Sequence, residues 1–184
     1  MANTVTNVSA GKPNASGAVY VAAIGSTLPT DATTALDNAF ACLGYISEDG
    51  LTNTNTPESD TIKAWGGDTV LTLQTSKEDT FDFTLIEVLN LDVLKFVYGE
   101  DNVSGTLANG ITIEANSAQL ESHAIVVEMN LRDDAVKRIV IPNGTVSEIG
   151  EISYADNAAI GYACTVNTAP DASGNTHYEY IKRA

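Results

Sequence analysis

Apolar and polar positions alternate with period two in several runs, the mark of strands with one buried face. Phe81, Phe83 and Leu85 share one side of such a run, with Asp82 and Thr84 opposite. Ile125, Val127, Met129 and Leu131 form a second series against Val126, Glu128 and Asn130. Ile160, Tyr162, Cys164 and Val166 form a third. Further strands are expected at 18–23, 70–75, 111–114, 136–141, 146–154 and 178–182, where Thr and Val are frequent. One segment changes period. Leu91, Leu94 and Tyr98 recur at helical spacing, Asn90 stands at the N-cap and Gly99 at C′. The pattern predicts a helix of about two turns over 90–98, flanking a mainly β fold. A weaker helical turn is expected within 32–40.

Turn chemistry punctuates these runs. Pro142-Asn143-Gly144 reads as a tight turn, Asp133-Asp134 as a tight hairpin, and 171–175 as a hairpin loop between the last two strands. Residues 47–68 are rich in Thr, Asn, Asp, Glu and Gly. They read as one long loop, and an irregular loop of about 20 residues in a compact domain is usually functional. Residues 1–16 are polar and unpatterned, and read as a flexible N-terminal arm. Residues 17–184 then form a single β domain, the expected number at a length of 184 residues.

Charge narrows the functions available. The chain carries 24 acidic and 9 basic side chains, a formal net charge of −15. That balance argues against a module that grips DNA or RNA phosphates, and against docking on an anionic membrane. A protein that lies beside nucleic acid without adhering to it remains compatible. No apolar run approaches the length of about 18 residues needed to span a bilayer, and the first residues lack the features of a secretory signal. Without such a signal, Cys42 and Cys164 are read as reduced apolar residues rather than a disulfide.

Catalytic and metal-binding patterns are not found. His123 and His177 lack ligand partners at standard spacing. The Asp-containing loops lack an EF-hand's alternating oxygens and closing Glu. The Trp65-Gly66-Gly67 segment is not followed by the Lys-Ser/Thr of a phosphate cradle, and no Gly-x-Ser-x-Gly elbow occurs. The reading is therefore of a non-enzyme with no catalytic residues, no metal and no cofactor. Sequons at Asn7, Asn14, Asn102 and Asn143 carry no weight without a secretory signal. Trp65 fits either an exposed interface anchor or a core residue.

Four stretches in order, 43–51 (LGYISEDGL), 57–68 (PESDTIKAWGGD), 137–144 (KRIVIPNG) and 174–181 (GNTHYEYI), carry a resemblance that extends over nearly the whole chain. In them the sequence resembles the major tail tube proteins of long-tailed, non-contractile (siphovirus-type) bacteriophages. The resemblance implies a tail-tube-type β-sandwich or half-barrel with one short flanking α-helix. It also implies hexameric rings that stack into a tube. That tube would surround a tape-measure protein, join tail terminator and tail-tip proteins, and conduct DNA into the host. The protein would then be a structural virion component, assembled in the host cytoplasm.

On that basis, polar residues opposite apolar strand faces are candidates for the lumen: Asp82, Thr84, Glu128, Asn130, Thr165 and Asn167. Each is equally compatible with an outer solvated face. Glu48, Asp49, Glu58, Asp60, Trp65 and Asp68 in the long loop are candidates for contact between subunits. The competing readings are another self-assembling β subunit and a carbohydrate-binding β-sandwich. The first group includes a contractile-tail inner tube, a secretion-system tube ring, and a pilus, surface-layer or decoration protein.

Overall fold

A computed structural model describes residues 3–183; Met1 and Ala2 of the expected N-terminal arm lie outside them. The elements in chain order are β1 (Lys12–Pro13), β2 (Val19–Ala23), β3 (Ala41–Cys42), β4 (Ile46–Lys63), β5 (Thr69–Leu85), α1 (Leu91–Tyr98), β6 (Val103–Thr106), β7 (Gly110–Ile113), β8 (Ser122–Asn130), β9 (Ala135–Ile149), β10 (Tyr162–Thr168) and β11 (Tyr178–Arg183). Nine strands form one antiparallel sheet along the path β3-β2-β8-β9-β10-β5-β4, with β1 on β8 and β11 on β9. β6 and β7 make a separate hairpin. The expected class, mainly β with one short flanking helix, is the observed one.

Helix α1 forms where its caps predict. The Asn90 side chain accepts from the Asp92 backbone N–H at 3.0 Å, and Gly99 ends the helix at φ 98°. Val93, Leu94, Phe96 and Val97 are buried against one face of the sheet. That face presents Phe81, Phe83 and Leu85 from β5, Ile125 and Val127 from β8, Ile139 and Ile141 from β9, and Tyr162, Cys164 and Val166 from β10. Phe83 stacks on Phe96 at 6.4 Å, and Tyr98 meets Tyr162 edge-on at 5.8 Å. The period-two runs are the strands that build this core.

The far half of the opposite face is covered by the connection between β2 and β3. There Val126 and Val140 are fully buried, and Arg138 Nη1 donates to the Asp31 carbonyl at 2.8 Å. Residues 32–40, expected to contain a helical turn, are turns and irregular backbone instead. The near half of this face, over β4, β5, β10 and the end of β9, is left open.

Three expected turns resolve differently. Asp133 and Asp134 both adopt positive φ (57° and 54°) between β8 and β9, the sign that tight hairpin turns require. Pro142-Asn143-Gly144 is not a turn, because β9 runs straight through it. Pro142 sits where the partner on one edge of β9 changes from β11 to β10, so its missing N–H interrupts no continuous ladder. A Cβ on Gly144 would stand 2.9 Å from Val166 and 3.0 Å from Ile125, so glycine is there for close packing. Residues 171–175 do form a turn, with Gly174 N–H donating to the Asp171 carbonyl at 2.9 Å. The strands on either side are not a hairpin: β10 and β11 lie end to end along the same edge of β9.

The largest correction concerns residues 47–68. They are not an irregular loop. Most of them belong to β4, an 18-residue strand paired along its length with the 17-residue β5. Only residues 64–68 form the connecting turn. In the N-terminal region, β1 pairs with β8 through Lys12 opposite Asn130 and Pro13 opposite Met129.

Candidate assembly surfaces

Register brings the six candidate lumen residues onto one face of the sheet, opposite α1, in two different settings. Paired residues in neighbouring strands share a face. Asp82 pairs with Thr165, Thr165 with Glu148, and Thr52 with Asp82. This makes a row Thr52–Asp82–Thr165–Glu148 across four strands. Beside it runs a second row, Thr54–Thr80–Asn167–Thr145–Ser122. Thr165 Oγ1 donates to Asp82 Oδ1 at 2.6 Å, and the Ser122 and Thr145 hydroxyls are 2.6 Å apart. Thr84 lies next to these rows, opposite Ala163. Asp49, Asp82 and Glu148 line one shallow cleft there. The two rows contain hydroxyls, one amide and two carboxylates, and neither Lys nor Arg.

Glu128 and Asn130 share the face but not the setting. Glu128 is directly opposite Arg138, whose side chain is only 5% exposed, and the two form an ion pair with Nε donating to Oε1 at 2.9 Å. Asn14 Nδ2 donates to the other Glu128 oxygen at 2.9 Å. The covering connection lies over this pair. Glu128 is therefore committed to a buried partner, whereas Asn130 is exposed at the end of β8, opposite Lys12 and Val136.

The second surface is the outer part of the β4–β5 hairpin. β10 pairs with β5 only between Thr80 and Leu85. Residues 55–78 therefore project as a two-stranded arm, exposed on both faces. Nine residues of strand reach about 30 Å. Near its tip the arm carries Ile62, Trp65, Val70, Leu71 and Leu73, all exposed, with Ile62 opposite Leu71. Trp65 is fully exposed in the turn. Glu58, Asp60 and Asp68 are also on the arm, whereas Glu48 and Asp49 lie at its root end, in an irregularity between Ile46 and Leu51. The six candidate contact residues are thus all exposed but divided between the two ends of β4.

At the base of the arm Asp79 is buried, its side chain wholly inaccessible. It accepts hydrogen bonds from Asn53 Nδ2 at 2.7 Å, Thr176 Oγ1 at 2.5 Å and His177 Nδ1 at 2.6 Å. Burial pushes the carboxyl up, but the bonds from Thr176, Asn53 and His177 outweigh it and hold the group below its ordinary value. Asp79 thereby ties the arm's first strand and the 169–177 connection to β5. Sequence reading missed Asp79 because an Asp at a core position follows no apolar alternation. It also missed Thr52 and Glu148: strict alternation from the buried Val146 would put Glu148 on the core face, and the bulge opposite Thr165 and Val166 turns it to the other.

The two histidines are occupied separately. His177 meets Phe81 edge-on at 5.3 Å, and His123 lies 5.5 Å from Phe96. Both cysteines are free, and burial pushes the Cys164 thiol up to about 12, so it is not a nucleophile near neutrality. Among the described residues, no three His, Cys, Asp or Glu side chains stand close enough to hold a metal ion, and no helix is long and apolar enough to cross a membrane.

A search of curated proteins gives no significant match. The phage tail tube protein family matches residues 6–184. A sheet with one face sealed by a helix, an open polar face beside it and a projecting hairpin suits a subunit that builds a tube. The chain belongs to the phage tail tube protein family, and is a structural component of the virion tail.

Proposed function

We propose that this protein forms the tube of a long, non-contractile phage tail, as stacked hexameric rings whose open polar face lines the channel. The observation that carries the reading is the pair of registered rows around Asp82, Thr165 and Asn167. They offer DNA short hydroxyl and amide side chains, sparse negative charge and no cation. Phosphates find no counter-charge there, so a duplex passes without a site at which to stall. Thr84 belongs to the same lining, and Asn130 to its margin. Glu128 is assigned to structure, through Arg138.

The exposed arm, with Trp65, Glu58, Asp60 and Asp68, contacts a neighbouring subunit or ring, and Glu48 and Asp49 serve the same purpose at the other end of β4. Open edges of β4 and β11 are an association risk in a lone subunit and are satisfied when sheets close into a ring. The tape-measure protein fills the channel before ejection, and terminator and tip proteins cap the tube, which is assembled in the host cytoplasm. The role is architectural and assigns no catalysis. Negative-stain electron microscopy of concentrated protein tests it: hollow tubes or rings with sixfold end views are expected. A monomer that stays monomeric at all concentrations, in the presence of a tail-tip complex, would overturn it.

A further inference from the structure

Positive charge is scarce in this chain, yet much of it is gathered at one pole of the sheet. β8 runs into the 131–134 turn, β9 leaves it, β11 ends beside it and β1 pairs at its base. This arrangement collects Lys12, Arg132, Lys182 and Arg183 at the turn end, all exposed. Lys137 is nearby, paired with Glu179 at 2.7 Å. The acids beside these four are fewer: Asp133, Asp134 and Asp31, the last engaged by Thr33 and Thr34. Asp133 is shared between Arg132 at 3.6 Å and Arg183 at 4.0 Å.

The opposite pole has the reverse character. There β4 begins, β5 ends, and residues 150–161 join β9 to β10. Segments 44–50, 85–90 and 149–162 contain no Lys or Arg, but they contain Glu48, Asp49, Glu87, Glu151 and Asp156. The poles are separated by the length of β9, about 45 Å at the rise of an extended strand. Each also exposes apolar groups beside its charges. Val5 (78%) and Val8 (68%) lie at the basic pole, where Arg132 Nη1 donates to the Val5 carbonyl at 3.2 Å and the Arg132 N–H to Ser9 Oγ at 2.7 Å. Tyr45 and Tyr154, each 74% exposed, flank the acidic pole.

We infer that the basic pole of one copy docks on the acidic pole of the next, an electrostatic head-to-tail contact that sets the polarity of stacking. This rests on the tube reading above and names the surfaces that meet in it. Two complementary surfaces at opposite ends of one molecule form a heterologous contact, which propagates as an open stack. Unlike charges at such a contact speed encounter, and like charges reject the inverted, pole-to-same-pole approach. Nucleic acid is the other polyanion a basic pole could meet. The acidic pole of the same chain favours a second copy.

The test uses the full chain and three variants. One carries Lys12→Glu, Lys182→Glu and Arg183→Glu; one carries Glu48→Lys, Asp49→Lys and Glu151→Lys; the third carries all six changes. Tube yield is read by microscopy and sedimentation, at rising NaCl concentration. Each single-pole variant is expected to lose stacking by at least about tenfold. The six-fold variant, in which the poles have exchanged sign, is expected to regain it, and wild-type stacking is expected to weaken with salt. Recovery in the combined chain separates lost docking from misfolding. Single-pole variants that stack as well as wild type would overturn the inference and leave the tube reading standing. So would a six-fold variant that stays folded by circular dichroism and does not stack. Loss confined to binding of a labelled duplex oligonucleotide, with stacking intact, would reassign the basic pole to nucleic acid. Absence of tubes from wild type would remove the reading beneath it.

Discussion

Asp79 shows how one buried side chain can hold three segments. Its carboxylate, itself inaccessible to water, has donors from β4 and from the 169–177 connection. Asp79→Asn keeps the shape but turns an amide N–H donor toward groups that are themselves donors. It should cost about 1–3 kcal/mol, the penalty for leaving buried groups unpaired. The pH dependence has a defined sign. The folded-state value lies below the unfolded one, about 3.9, so the contribution is complete above that value and fades as pH falls through the folded-state value. Urea midpoints of the two proteins should therefore differ by a constant amount through the neutral range and converge in acid. A gap that persists undiminished at about pH 2 would mean that the carboxylate charge is not what stabilises the site. Glu128 is a second case. Sequence alternation put it with solvent-facing polar residues, whereas it neutralises the buried Arg138. Glu128→Lys should then be a folding mutation, costing about 3–5 kcal/mol as for a buried pair losing one partner. It would appear as insoluble expression or a large fall in Tm, and a soluble protein of unchanged Tm would contradict the pairing.

At the scale of elements, the helix and the arm make opposite demands on sequence. Helix α1 was legible because its cap, its apolar face and its terminating glycine agree. Asn90 does more than cap: its Nδ2 also donates to the Cys42 carbonyl at 3.3 Å and to Glu87 at 3.2 Å. Asn90→Ala should cost about 1–2 kcal/mol, at the upper end of the range for a cap, measured by denaturant unfolding; a change within error would show the side chain to be dispensable. The core strands were legible for the same reason as the helix, since Phe81, Phe83 and Leu85 face a core and their neighbours do not. The arm was illegible because burial does not pattern it: residues 55–78 are exposed on both faces, so polar Thr, Asn, Asp and Glu occupy positions of either parity. Gly144 misled in the other way, with a turn signature produced by crowding from Val166 and Ile125. Strand pairing sets the boundary for an arm deletion. Removing 47–68 would strip β4 residues paired with Phe81 and Phe83, whereas replacing 55–78 by a two-residue turn spares the core. That shortened protein should remain a folded monomer, with Tm within a few degrees of wild type, and should not make tubes. Normal tubes from it would show that the arm is not a contact.

For the whole molecule, the net charge of −15 is less informative than its placement. The open face carries in its two rows only Asp82 and Glu148 as charged groups, among Thr, Ser and Asn. Most of the acidity lies elsewhere, on the arm, the acidic pole and the loops. On the proposed reading, in which this face lines the channel, it repels phosphate weakly, and its chief property is that the two rows contain no cation. Adding one should therefore matter more than removing an acid. Asp82→Asn should leave ejection nearly unchanged. Glu148→Lys, exposed and away from the core, should leave the tube intact and, repeated around every ring, slow DNA passage. The slowing should shrink as salt rises, because each phosphate contact releases counterions. Ejection followed by fluorescence of a DNA-binding dye, with tube integrity checked by microscopy, separates transport from assembly. Equal ejection rates for Glu148→Lys and wild type at low salt would place this face outside the channel, and the polar rows would then belong to the outer wall.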